Sequence, residues 1–261
     1  MKNTKTKIIA TIGPVSGNIK IVRGMIKNGV NFIRLNMSYR NYPEDAKFIS
    51  TVRKAAELEK KDVKIILDLS GPRMKTKTGH GLDQKVKGVI TKKDKEDLAF
   101  GFKEGVDMFA MSYVKNGKDV ADLKKLMMFL GEAKPIIAKI ERKDALKNIE
   151  GIIKESDMVM VARGDLGDAL PYEKVPFIQN EIIKKCNKSN KPVIVATEMM
   201  LSMKYASRPT RAEVTDVANA VLEGANILML SNETGSKTAK YPVETVKAMK
   251  RIIVEAEKHI S

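Results

Sequence analysis

Eight short apolar runs, each separated from the next by a polar or amphipathic stretch, govern what this chain can fold into. They are KIIATIG (7–13), FIRLNMS (32–38), VKIILDLSG (63–71), DMFAMSYV (107–114), PIIAKIE (135–141), MVMVARG (158–164), PVIVATEM (192–199) and NILMLSNE (226–233). Each is nearly continuous in apolar character, as strands covered on both faces must be. Between them apolar residues recur at the spacing of one helix face, as in Ile19, Val22 and Ile26, or Leu123, Leu126 and Leu130. KNGV (27–30), KEGV (103–106) and LEGA (222–225) each put a glycine where a helix ends and the next strand begins. Eight such units in 261 residues predict an α/β protein, a (β/α)8 TIM barrel formed as one domain over residues 1–261. An open doubly wound sheet is the competing architecture, although no Gly-x-Gly-x-x-Gly turn follows the first strand. The length also accommodates two smaller domains.

A barrel makes a further demand, because active sites in this fold lie at the carboxyl ends of the strands. The polar residues predicted to converge there are Thr11, Arg34, Asn36, Ser38, Asp68, Ser112, Lys139, Glu141, Asp165, Thr197, Ser231 and Glu233. For Thr11, Ser112 and Ser231 a loop or capping hydrogen bond is the plainer role. Glu141 and Asp165 stand just past the ends of consecutive strands, joined by RKDALKNIEGIIKESD, a stretch long enough for one crossover helix. Parallel neighbours would project both carboxylates from one edge, within reach of a shared divalent cation. Lys139, two residues before Glu141, would carry its ammonium beside that cation, where it neutralises charge on a transferring phosphoryl group or an enolate oxygen. A structural ion pair is the alternative for Lys139. ARGDLG places Gly164 and Asp165 at the start of a short helical turn, whose backbone N–H groups can hold a carboxylate. Thr197 is positioned to donate a further hydrogen bond to the same carboxylate.

Charge and cysteine usage narrow the partners. Lys and Arg outnumber Asp and Glu by 48 to 32, a net charge of +16 that favours anionic ligands. The lysines are scattered over helix faces, and only 5% of residues are aromatic, so no specific nucleic-acid partner is expected. Cys186 is the one cysteine and lies in a helical pattern, EIIKKCNK, as an inert thiol. It forms no intrachain disulfide and favours a cytoplasmic location. The amino-terminal MKNTKTKIIATIG has no apolar signal region, and no apolar run reaches the ~18 residues that cross a membrane.

Taken together, KIE (139–141), VARGDLG (161–167), KPVIVATEM (191–199), RPTRAEVTDVANAVLEGA (208–225) and MLSNET (229–234) resemble the catalytic barrel of the pyruvate kinase family. ATIGP (10–14), RLNMS (34–38) and LDLSGPRMK (67–75) follow in the same order, so the resemblance covers essentially the whole chain. It implies transfer of a phosphoryl group between phosphoenolpyruvate and ADP. It also implies Mg²⁺ or Mn²⁺ on Glu141 and Asp165, and Lys139 nearest the transferring group. Gly164, Asp165 and Thr197 become the pyruvate carboxylate pocket, Arg34 a phosphate clamp, and Asn36, Ser38 and Asp68 the monovalent-cation ligands.

Departures from the family pattern carry expectations of their own. The family's lid domain, inserted after the third strand, is replaced here by a short connection over residues 76–90. The chain also stops where a carboxyl-terminal domain would begin, so regulation through that domain is not expected. Tyr39 and Arg40 replace a His-Gly pair, and the His helps hold nucleotide. Ser70 replaces a lysine, Glu198 a glutamine and Asn232 a glycine. Arg73 stands where potassium-dependent members carry Glu, so it is expected to supply the positive charge and make K⁺ unnecessary. Lys75 replaces an arginine that helps bind phosphate, a nonconservative change at a bidentate position. The metal and enolate side thus reads as intact and the nucleotide side as eroded, with ADP or ATP a weak partner. A metal-dependent lyase or enolisation catalyst acting on a 2-oxo acid, through oxaloacetate decarboxylation or aldol cleavage, therefore stands beside the kinase. A noncatalytic paralogue is the third reading. The segment SMKYASRPTRAEVTDVANA resembles the family's barrel-to-barrel contact and predicts a homodimer, with helix capping and barrel stacking the alternative roles for Arg211, Glu213 and Asp216.

Overall fold

The computed structural model describes residues 4–39, 41–76, 79–83, 85–86 and 88–260. Its strands are β1 (Lys7–Thr11), β2 (Val30–Asn36), β3 (Lys64–Asp68), β4 (Arg73–Thr76), β5 (Gly79–Leu82), β6 (Met108–Met111), β7 (Ile136–Ile140), β8 (Met158–Ala162), β9 (Val193–Ala196) and β10 (Ile227–Leu230). The eight strands expected from the apolar runs are all present. They follow one another as β1-β2-β3-β6-β7-β8-β9-β10, with β10 returning to β1, in a closed (β/α)8 barrel. Each ends one to three residues before its apolar run does. Thr11, Arg34, Asn36, Asp68 and Lys139 are in the last residues of their strands, whereas Ser112, Glu141, Asp165, Thr197 and Glu233 lie just beyond theirs in loops and short helices.

Contacts divide the chain into two compact units, residues 1–35, 43–65 and 194–261 in the first, residues 36–42 and 66–193 in the second. In the first, β1 runs parallel to β2 and β10, with Ile9 opposite both Phe32 and Met229, and Leu228 of β10 is opposite Val195 of β9. Ile8, Ile9, Ile33 and Leu35 are fully buried, as are Val22, Met25 and Ile26 of the helix Ile19–Lys27 and Met249 and Ile253 of the helix Pro242–Ala256. In the second unit β6 lies between β3 and β7, with Leu67 opposite Phe109 and Ala110 opposite Ile137, and Lys139 of β7 faces Met160 of β8. The helix Gly117–Leu130 buries Val120, Leu123 and Met127. That stripe differs from the expected Leu123, Leu126 and Leu130, because the helix turns its Met127 side to the sheet and leaves Leu130 partly exposed.

Glycines end three helices in the left-handed region, as the sequence predicts: Gly29 at φ +109°, Gly105 at +66° and Gly224 at +98°. Two local features differ from expectation. The stretch between β7 and β8 is two short helices, Lys143–Lys147 and Ile149–Glu155, rather than one. At the break the Asn148 side chain donates to the Asp144 and Lys115 carbonyls, offering the backbone an alternative to a continuous helix. The second is the antiparallel hairpin of β4 and β5, which pairs Arg73 with Leu82 directly after β3. The chain enters it through Gly71, whose φ of +61° and N–H donated to Asp94 Oδ1 turn the backbone sharply past Ser112.

Candidate active site

Strand ends of the second unit gather a charged cluster. Lys139 is the fourth residue of β7, and its stem and ammonium are both buried. The ammonium lies 2.9 Å from Glu141 Oε1, 3.1 Å from Asp68 Oδ1 and 2.8 Å from the Ser112 hydroxyl. Asp68 ends β3 and Ser112 follows β6, so three neighbouring strands converge on one cation. Ser112 also donates to the Leu69 carbonyl at 2.7 Å, the loop hydrogen bond that its sequence context suggests.

Glu141 is the buried centre of the cluster. Its Oε2 accepts the Tyr113 backbone N–H at 2.6 Å. Its Oε1 has no hydrogen-bond partner among the described residues, so the approach of Lys139 is ionic rather than an aligned hydrogen bond. Burial pushes the Glu141 carboxyl above the usual range, Lys139 pulls it back, and Asp165 raises it again. Asp165 sits in the helix Arg163–Ala169 immediately after β8, the short helical turn expected of ARGDLG, and Gly164 precedes it there.

Arg73 completes the arrangement. From the start of β4 its Nη2 reaches Asp165 Oδ2 at 3.1 Å and Glu141 Oε1 at 3.7 Å, spanning the two carboxylates. Its Nε donates to the Tyr113 hydroxyl at 3.1 Å, and the guanidinium lies 5.2 Å from the centre of the Tyr113 ring. Burial opposes the arginine charge, but Glu141 and Asp165 outweigh it and hold the group protonated. The Tyr113 hydroxyl in turn donates to Asp165 Oδ1 at 2.8 Å. Burial raises this phenol far above its ordinary range, so it remains a hydrogen-bond donor. A cavity of about 620 Å³ opens over the cluster, bounded by Leu82, Tyr113, Glu141, Arg142, Lys143 and Asp165 among others.

The remaining expected residues fall in two groups. In the second unit Asn36 Oδ1 accepts the Ser38 backbone N–H at 3.1 Å, which folds the loop after β2 on itself. The Lys93 ammonium contacts the Met37 carbonyl in that loop and lies 2.7 Å from the Ser70 hydroxyl and 3.2 Å from Asp97 Oδ2. In the first unit Arg34 is buried and donates from Nη1 to Thr11 Oγ1 at 3.0 Å, while Thr11 donates to the Leu230 carbonyl at 2.9 Å. Thr197 and Glu198, just after β9, both adopt positive φ, +78° and +56°. A β-branched residue in that region is strained, and such strain gathers at ligand-binding turns. The Lys75 side chain and residue Arg40 lie outside the described residues.

Sequence reasoning missed Tyr113 and Lys93. Tyr113 was visible only as the aromatic end of an apolar run. Its φ of +56° turns its N–H onto Glu141 and its ring under Arg73, and no spacing rule announces that.

The two carboxylates fit a divalent cation: hard oxygen donors, one of them a buried oxygen lacking a hydrogen bond, suit Mg²⁺ or Mn²⁺. Among the described residues no group of three or more His, Cys, Asp or Glu side chains gathers, so such an ion would draw its other ligands from substrate and water.

Fold and site together define a (β/α)8 barrel with a buried lysine and paired carboxylates at its strand ends. A family model described as the pyruvate kinase barrel domain matches residues 3–88 and 81–246, and the chain belongs to the pyruvate kinase family. It is 34% identical to the pyruvate kinase of Sporosarcina psychrophila over 336 residues, covering 97% of this chain and 57% of that protein. It is 33% identical to that of Bacillus licheniformis, covering 98% and 58%, and 34% identical to that of Geobacillus stearothermophilus, covering 97% and 57%. The chain therefore spans a little over half the length of the curated relatives it matches.

Proposed function

We propose that the chain catalyses metal-dependent phosphoryl transfer from phosphoenolpyruvate to ADP. The observation that carries this reading is the buried Lys139 ammonium set 2.9 Å from the buried Glu141 Oε1, an oxygen with no hydrogen-bond partner among the described residues. Glu141 and Asp165 would hold Mg²⁺ or Mn²⁺, which when bound neutralises charge on substrate oxygens. Lys139 stabilises charge on the transferring phosphoryl and the departing enolate oxygen, from a site where solvent screening is weak. The enol P–O bond breaks as a β-phosphate oxygen of ADP bonds to phosphorus, and the enolate then takes a proton at carbon to give pyruvate. Gly164, Asp165 and Thr197 would hold the substrate carboxylate, with Arg34 and Lys75 on the phosphate. Asn36, Ser38 and Asp68 would form the monovalent-cation set, and K⁺ would be unnecessary because cations of the chain's own stand close by. A coupled assay with phosphoenolpyruvate, ADP and Mg²⁺ tests the reading. Pyruvate formation should depend on ADP, and a Lys139→Met rate equal to wild type would end it.

A second reading, a metal-dependent lyase or enolisation catalyst acting on a 2-oxo acid, is favoured by one observation. The lysine and carboxylate cluster is complete within one unit, whereas the phosphate-clamp candidate Arg34 is buried and already bonded to Thr11. Solvent exchange of pyruvate methyl protons without ADP, followed by NMR, would support it, and absence of exchange with both Mg²⁺ and Mn²⁺ would remove it. For assembly and location we propose a cytoplasmic homodimer joined through the region of the helix Arg211–Leu222, to be checked by light scattering. Among the described residues no helix is long and apolar enough to cross a membrane.

A further inference from the structure

We propose that Arg73 is a resident counter-cation of the Glu141 and Asp165 pair, held in place by Tyr113, which a divalent metal ion must displace in order to bind. The inference rests on the metal role proposed above for the two carboxylates. Two carboxylates facing one partly buried space repel each other and lose hydration, so a chain lacking a metal needs another charge there. Lys139 meets Glu141 at 2.9 Å, and the Arg73 guanidinium supplies the charge that reaches both carboxylates. One nitrogen, Nη2, lies between the two carboxylates, 3.1 Å from Asp165 Oδ2 and 3.7 Å from Glu141 Oε1. Both oxygens belong to the carboxylates that would hold the divalent ion. Glu141 Oε1 has only ionic contacts, whereas Glu141 Oε2 and Asp165 Oδ1 are already taken by the Tyr113 N–H and hydroxyl. Tyr113 therefore presents one free edge of each carboxylate toward the same space and anchors Arg73 Nε at 3.1 Å on the way. A Mg²⁺ or Mn²⁺ ion and this guanidinium cannot both occupy it, by size and by charge.

Arg73 begins the hairpin of β4 and β5, whose Gly81 and Leu82 border the cavity over Glu141 and Asp165. Metal binding then carries the free-energy cost of breaking the Arg73 contacts, and the metal and the arginine are negatively coupled. The metal-free protein gains a satisfied carboxylate pair at the expense of metal affinity.

Mn²⁺ binding measured by electron paramagnetic resonance on the purified chain, without substrate, separates the possibilities. Arg73→Gln should bind Mn²⁺ about tenfold more tightly than wild type. It should also melt at a lower temperature without metal and recover most of the loss when Mn²⁺ is added. Tyr113→Phe, which keeps the ring and the backbone N–H on Glu141, should tighten binding by about fivefold through loss of the hydroxyl that anchors Arg73 Nε and also occupies Asp165 Oδ1. It carries the test if Arg73→Gln does not fold. Unchanged or weaker Mn²⁺ binding in these variants, with binding lost in Glu141→Gln, overturns the counter-cation and leaves the metal site standing. Unchanged binding in Glu141→Gln overturns the metal site itself, and the counter-cation with it.

Discussion

Two buried glutamates, one in each unit, stand just past a strand end, and burial raises the carboxyl pKa of both. Glu233, after β10, is saturated by backbone: Oε1 accepts the Met200 N–H at 3.1 Å and Oε2 the Ser231 N–H at 2.7 Å. Glu141, after β7, has one oxygen on backbone, and its other oxygen faces two cations without a hydrogen bond among the described residues. Desolvation is common to both and so does not mark function. The difference lies in what the second oxygen meets. Amide donors fix a loop permanently, whereas exchangeable cations leave a carboxylate open to a ligand.

The sharpest way to break this contrast is to remove each charge in turn. Glu141→Gln should weaken Mn²⁺ binding by more than about 100-fold, since a directly ligating carboxylate should cost at least what its outer partners do. Glu233→Gln should leave Mn²⁺ binding within about twofold of wild type, because its carboxylate is engaged by backbone amides. Equal losses would show that burial alone sets the metal response. Lys139→Met should lower turnover in the coupled assay by about 100-fold or more, the scale of removing one preorganised electrostatic group. Glu233→Ala should leave the buried Met200 N–H and the part-buried Ser231 N–H unsatisfied and cost about 2 kcal/mol or more of stability, read as a fall in melting temperature.

The smallest effects come from a third glutamate that extends the comparison toward the surface. Glu213 lies in the capping box of the helix Arg211–Leu222 and accepts from Ser202 and Thr210. Partial burial raises its pKa, but the hydrogen bonds from Ser202 and Thr210 prevail and hold it below the ordinary value of 4.5. Its contribution to stability is therefore full above pH 4.5 and is lost as the pH falls through the lowered folded value. Thermal melts at descending pH should show Glu213→Gln less sensitive than wild type in that acid window. Thr210→Ala should cost about 1 kcal/mol at neutral pH through loss of the cap.

Much of the barrel was legible because its strands are covered on both faces and read as unbroken apolar runs. Lys139, Glu141 and Asp165 were legible for a related reason: a charged residue at the end of such a run has nowhere to point except the mouth of the barrel. The β4 and β5 hairpin was not, since strands of four residues with glycine in them lack a period long enough to detect. Arg73 was expected beside Asn36, Ser38 and Asp68 as a stand-in for a monovalent cation. The structure sets it on Glu141 and Asp165, still within electrostatic reach of Asp68, with Lys93 beside the Asn36–Ser38 loop, because the hairpin directs one side chain and a downstream helix the other.

By itself the sequence determined the alternation of strand and helix, the carboxylates and lysine at the strand ends, and the glycine turns between them. All of these follow from local periodicity and the side-chain chemistry of single positions. Only the tertiary structure decided which charges meet. It paired Arg73 with Glu141 and Asp165, turned Tyr113 into their common anchor and left one glutamate oxygen without a hydrogen bond among the described residues. Ion pairing in a desolvated space depends on distances of a few ångströms between residues far apart in the chain, and no spacing along the chain encodes them.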